Sequence, residues 1–160
     1  MQCVDDLSKA LIEFRKANGF GRGISAPQVG HDIQVIALNL GCGNFHIFNP
    51  TITKKSKETF TLWDDCMSID DTLVRVRRHT SIDIKYMNSE GEKKCWKNID
   101  QATSELLQHE IDHLNGILMV DRFEIHPGQP QEPHTITRQD YNDNTEHYSN
   151  LVDYEIKPTI

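Results

Sequence analysis

The run His109-Glu110-Ile111-Asp112-His113 sets two imidazoles four residues apart, with a carboxylate directly after the first. On a helix, positions i and i+4 lie one above the other, so both rings reach a single cation. Glu110 then falls beside that cation, where a carboxylate takes the proton of an attacking water. The bland reading of the same five residues is a helix carrying two surface histidines and a solvated glutamate. The apolar neighbours Leu107, Ile111 and Leu114 weigh against it.

Two imidazoles need a third ligand. The spacing that adds a histidine after HExxHxxGxx fails, because Gly116 is in place but position 119 is Met. A glutamate from a following helix is equally poor, since Glu132 lies in a proline-rich stretch that does not read as helix. A thiolate remains. Cys66 stands out among its polar neighbours in Trp63-Asp64-Asp65-Cys66-Met67-Ser68, although a small buried residue is the commoner fate of a free cysteine. On composition alone Cys42 and Cys95 compete with it.

The histidine motif needs a helix, and the sequence supplies one. Asp100 is placed to cap it, apolar residues recur from Ala102 to Leu114, and Gly116 ends it. An earlier helix is predicted over 5–16, where Val4, Leu7, Ala10, Leu11 and Phe14 recur at three- and four-residue steps. A glycine-rich loop over 19–23 leads into Ile24-Ser25-Ala26-Pro27-Gln28. Strands are predicted over 33–40, over 45–48 up to a break at Asn49-Pro50, over 51–62, 74–77, 81–87 and 93–97, and over 117–123. Arg75, Arg77 and Arg78 with His79 read as a solvated strand face, the other reading being a grip on a substrate carboxylate or carbonyl. Trp63 and Phe20 are expected to pack in the core or at a pocket rim. The fold class expected is α+β, with antiparallel sheets packed around the central helix that carries HExxH. Residues 1–126 are expected to form one catalytic domain, and 127–160, rich in Pro, Gln, Thr, Asn and Asp, an extended tail in which 151–156 docks as an edge strand.

Composition narrows the class. The 160 residues are 37% hydrophobic and 26% charged, which excludes collagen-like and wholly disordered chains. Seventeen basic against 24 acidic residues give a formal charge of −7, so nucleic acid is an unfavoured partner. No apolar run approaches the ~20 residues of a membrane span. The first residues read as neither a basic nor an apolar leader, and the four scattered cysteines read as thiols or ligands rather than disulfides, so a cytoplasmic location is expected.

Three ordered blocks resemble the peptide deformylases. Gly21-Arg22-Gly23-Ile24-Ser25-Ala26-Pro27-Gln28 is similar to the family's GxGxAAPQ, Asp64-Asp65-Cys66-Met67-Ser68 to EGCLS, and Gln108 to Gly116 to QHExDHLxG. The resemblance implies a hydrolase that removes the N-formyl group from formyl-methionyl peptides and releases formate, with the ribosome as a partner for which no motif is readable. It selects Cys66 as third ligand beside His109 and His113, and implies Fe2+, with Zn2+ or Ni2+ as other occupants. In this frame Glu110 is general base, then acid to the leaving amine. The Gln28 side-chain amide and the Met67 N–H become oxyanion donors, and Gly21, Gly23, Ile24 and Asp65 offer backbone to the peptide. Ser25 departs from the first Ala of the family's pair, Asp64-Asp65 from Glu-Gly, Met67 from Leu and Asp70 from Pro. Asp65 adds bulk and charge where the pattern has Gly. It therefore keeps two other readings in view: a hydrolase of another, small N-formyl compound, and an inactive paralogue that retains metal. An HExxH endopeptidase is a more distant one.

Overall fold

The computed structural model describes residues 2–156. In chain order its elements are α1 (Gln2–Asn18), β1 (Gly23–Ser25), a 3₁₀ turn (Ala26–Val29), β2 (Val35–Asn39), β3 (Asn44–Lys55), β4 (Thr59–Cys66), β5 (Ile69–His79), β6 (Ile82–Met87), β7 (Lys93–Trp96), α2 (Gln101–Leu114), a second 3₁₀ turn (Met119–Arg122), β8 (Thr135–Thr137), α3 (Arg138–Asp143) and α4 (Thr145–Ser149). Five strands form one antiparallel sheet in the order β1-β2-β3-β6-β7, and β4-β5-β8 form a second. The expected α+β class, with α2 central, is the observed one.

α2 explains how the two sheets belong together. Its start is capped by Asp100, whose carboxylate accepts from the Thr103 N–H at 3.0 Å, and Gly116 follows it with φ +72°. Leu106, Leu107, Ile111 and Leu114 pack on Ile36, Leu38, Ile47, Ile82 and Ile84 of the five-stranded sheet. The polar side of α2 is buried as well, from Thr103 to Leu114. Each polar group there needs a partner, since an unpaired buried one costs about 1–3 kcal/mol. Ser104 Oγ donates to the His79 carbonyl, and Gln108 takes both the N–H and the carbonyl of His79. Glu105 pairs with Arg22. α1 covers the other end of the sheet, where Leu7 and Leu11, both fully buried, meet Ile24, Val35 and Ala37.

Several expectations give way. Asn49-Pro50 does not end its strand: β3 runs through it, with Asn49 at φ +49° and the register to β6 slipping between Phe48 and Thr51. A bulge absorbs the proline that a regular ladder would reject. Residues 117–123 form a 3₁₀ turn rather than a strand, leaving one bridge from Phe123 to Val76. The arginine cluster is no solvated face. Arg75 is buried and donates to the carbonyls of Leu151 and Glu124, Arg78 is buried between two carboxylates, and only Arg77 is exposed.

The largest difference concerns the expected extended tail. From Thr135 to Ser149 it folds as β8, α3 and α4, and Ile136 and Leu151 bury themselves against Trp63 and Leu73. The expected docking of 151–156 takes the form of a single parallel bridge from Tyr154 to Leu62. Residues 157–160 lie outside the described residues.

Candidate active site

β4 ends at Cys66, and a tight turn through Met67 and Ser68 returns the chain as β5. That turn places the Cys66 thiol against the face of α2 bearing His109 and His113. Cys66 Sγ lies 3.1 Å from His113 Nε2, and the two Nε2 atoms lie 3.0 Å apart. The rings stand nearly perpendicular, with centroids 4.6 Å apart. The three ligand atoms fall within 4.8 Å of one another, and all three residues are buried. Bonds of 2.0–2.3 Å to a tetrahedral cation would set such donors roughly 3.3–3.7 Å apart, so the cluster is already near the spacing a metal requires. Cys42 and Cys95 are exposed and take no part, and Cys3 is buried on the inner side of α1.

The polarity of the site has identifiable sources. His109 Nδ1 faces Asp64 Oδ2 at 3.0 Å, which turns Nε2 toward the cluster. Asp64 is bound by Arg78 Nη2 at 3.0 Å, and Arg78 Nη1 reaches Asp112 at 2.5 Å. Arg122 completes the chain on the other oxygen of Asp112, at 2.7 Å. Burial alone would push the Asp64 carboxyl up, but His109 and Arg78 outweigh it and hold it well below the usual range. Burial likewise opposes a charged His109, yet Asp64 and Cys66 raise its pKa well above normal. Burial also acts against the Cys66 thiolate, and hydrogen bonds to His109 and His113 still bring its pKa down to about 6. The thiol is therefore poised to ligate near neutral pH. Sequence reasoning treated Asp64 only as a departure from a pattern. The signal it missed is a carboxylate at a buried strand position, opposite in chemistry to an arginine fourteen residues on.

Glu110 lies against β1. Gly23 makes this approach feasible, because a Cβ there would meet Glu110 Oε1 at 2.9 Å. One carboxylate oxygen, Oε2, is buried without a hydrogen-bond partner among the described residues. Burial is the main reason its pKa is raised, against the pull of His109 and His113. One turn earlier, burial pushes Glu105 up to about 7 despite the Arg22 guanidinium beside it. Gln28 sits across the site in the 3₁₀ turn after β1. Its Oε1 accepts from the N–H and the hydroxyl of Ser25, both at 2.8 Å, which aims Nε2 at Ser68 Oγ (3.0 Å) and toward Cys66 Sγ (3.8 Å).

A cavity of about 440 Å³ opens onto these groups. Gln28, Cys66, His109 and Glu110 line it, as do Gly21, Gly23, Asp65 and Met67 of the sequence-derived set. Ile24 does not: its side chain is packed under α1. His113, in contact with His109 and Cys66, does not line it either. Phe20 and Trp63 both reach the cavity wall, and Trp63 is nearly buried with its Nε1 donating to the Tyr148 carbonyl. Residues from the C-terminal part, among them Arg138, Tyr141 and Tyr154, close one side of the cavity. No sequence signal had placed them there.

A thiol and two imidazoles converging on one point, with an unpartnered carboxylate beside them, can hold a metal ion next to a base, the arrangement of a hydrolytic site of the HExxH kind. The comparisons with known proteins specify which. The profile of the polypeptide deformylase family matches residues 1–127. The peptide deformylase of Treponema pallidum (strain Nichols) is 35% identical over 124 residues, 76% of each chain. That of Microchaete diplosiphon is 37% identical over 129 residues, 76% of this chain and 68% of its own. The crystal structure of Thermotoga maritima peptide deformylase superposes with a TM-score of 0.68 at 30% identity, covering 78% of this chain and 83% of that one. A probable peptide deformylase from Synechococcus phage S-SSM7 gives 0.64 at 37% identity, over 75% and 83%. The chain belongs to the polypeptide deformylase family, metal-dependent hydrolases that remove the N-formyl group from nascent peptides. Among the described residues no helix is long and apolar enough to cross a membrane.

Proposed function

We propose that this protein deformylates N-formyl-methionyl peptides in the cytoplasm, with Cys66, His109 and His113 holding Fe2+ and Glu110 moving the proton. The observation that carries this reading is the buried, unpartnered Glu110 Oε2 beside three convergent ligand atoms. An orphaned buried carboxylate oxygen is costly unless a cation or the reacting water faces it. The residues fit a soft or borderline divalent ion, Zn2+ and Ni2+ as well as Fe2+. Bound there, the metal supplies the Lewis acidity that makes water a nucleophile near neutral pH.

The chain's own groups do the rest. Glu110 takes a proton from the water that attacks the formyl carbon. Gln28 Nε2 and the Met67 N–H donate to the oxygen that becomes negative in the tetrahedral state. Glu110 then passes its proton to the amine nitrogen as the C–N bond breaks, so water and formamide become formate and a free N-terminus. The raised pKa of Glu110 suits this double duty, because a base close to the working pH also serves as an acid. Asp64 holds His109 in its ligating orientation from the far side of the ring. The test is formate release from formyl-Met-Ala-Ser by iron-loaded protein. Turnover that disappears on chelation and returns with Fe2+ supports the reading, and iron-loaded protein without formate release refutes it.

A further inference from the structure

We propose that Arg138, held in place by Asp65, binds the peptide chain downstream of the formylated residue through a carbonyl or carboxylate oxygen. This deepens the deformylase reading and rests on it. Arg138 lies in the C-terminal part that the family profile does not cover, yet it lines the same cavity as Cys66 and Glu110. Its Nη2 donates to Asp65 Oδ2 at 2.6 Å. Asp65 directly precedes Cys66 and occupies the place where the family pattern has glycine.

The pair makes a poor fastener. The Arg138 and Asp65 side chains are 44% and 31% exposed, and an ion pair that wet contributes little to stability. The segment is already held by Ile136 and Leu151 against Trp63 and Leu73, and by the pairing of Thr135–Thr137 with β5. Arg138 is instead set with care. It is the first residue of α3, directly after Thr137, whose hydroxyl caps the helix by accepting from the Asp140 N–H while Asp140 accepts from the Thr137 N–H. The backbone at Arg138 is thereby fixed, and the hydrogen bond to Asp65 orients the guanidinium. One edge of the fork is committed to Asp65, while Nε and Nη1 have no hydrogen bond among the described residues. A guanidinium is a rigid donor array suited to carbonyl and carboxylate oxygens. Along an extended peptide, the carbonyls one and two residues past the formylated one lie about 3.5–7 Å further on. Arg138 and Asp65 line the same cavity as Cys66, so a peptide extending from the site through that cavity passes the pair.

The test is calorimetry on metal-loaded Glu110→Gln protein, in which turnover is slowed about 10²–10⁴-fold so that binding is read ahead of hydrolysis. The ligands are formyl-Met-Ala-Ser, its C-terminal amide, and formyl-methioninamide, which has no downstream carbonyl. Adding Arg138→Ala should weaken both tripeptides roughly tenfold or more and leave formyl-methioninamide within about twofold. A larger loss on the acid than on the amide assigns the contact to the carboxylate, and an equal loss assigns it to a backbone carbonyl. Arg138→Lys keeps a cation for Asp65 but loses the fork, and should not restore affinity. Asp65→Asn should weaken the tripeptides less than Arg138→Ala, and add nothing on top of it. In the active protein the loss should fall on KM rather than kcat. Equal losses on all three ligands, rescue by lysine, or no measurable peptide binding would overturn the proposal. Absence of formate release from the active protein would instead strike the deformylase reading and leave the calorimetric comparison standing.

Discussion

The two walls of the cavity are built on opposite principles. On one side, Cys66 and α2 form a buried polar site in which Asp64, Arg78 and Asp112 each have a charged partner. On the other, residues from Thr135 to Tyr154 are anchored by apolar contacts and by hydrogen bonds to the Tyr148 and Leu151 carbonyls, and their Arg138 is partly exposed where it reaches across to Asp65. The contrast teaches where tolerance lies. A charge buried with a partner depends on it, so removing one partner strands the other at about 3–5 kcal/mol. Apolar anchoring is graded, and a truncated side chain loses only its own contacts and the cavity left behind.

The largest effect is expected at the thiolate. Cys66→Ser replaces a soft ligand with a hydroxyl, and metal analysis after desalting should find the chain essentially empty, with deformylation lost alongside. A full metal complement in that variant would mean that another group completes the site. Glu110→Gln comes next: the shape is kept and the base removed, so metal should remain while kcat falls about 10²–10⁴-fold. Asp64→Asn tests whether the polar wall acts as a unit. Loss of the partner that orients His109 should weaken metal binding about 10–100-fold, read by competition with a chelator. The mildest functional effect belongs to the opposite wall. Leu151→Ala should cost about 2–5 kcal/mol in denaturant unfolding while the metal content stays at one per chain. Metal loss in that variant would break the distinction between the walls.

The same division marks what could be read from the sequence. α2 and its motif were legible because their determinants are local: a cap at Asp100, apolar spacing, a stop at Gly116, and a four-residue step between histidines. The third ligand was not local. Spacing left Cys42, Cys66 and Cys95 in competition, and only the ordered resemblance chose among them, a choice the geometry agrees with. Asp64 and the burial of Arg78 stayed hidden, because an ion pair between neighbouring strands has no signature along one of them. The bulge at Asn49-Pro50 was missed because proline reads as a stop whenever the pairing partner is unknown. The C-terminal part was misread for a compositional reason. Ile136, Tyr141, Tyr148 and Leu151 are few among many Asn, Asp, Gln and Thr residues, and their common destination against Trp63 and Leu73 exists only in three dimensions.

The enclosure of α2 on all sides has a consequence for its motions. With Thr103 to Leu114 buried, the helix has no exposed face along which to fray. Its backbone amides should exchange with deuterated solvent only through global unfolding, at rates set by the stability of the whole domain. Stripping the metal with a chelator should then leave the protection of the amides around His109 and His113 slow relative to the exposed loops. The cation would enter a scaffold that is already rigid, rather than one that waits for it in order to fold.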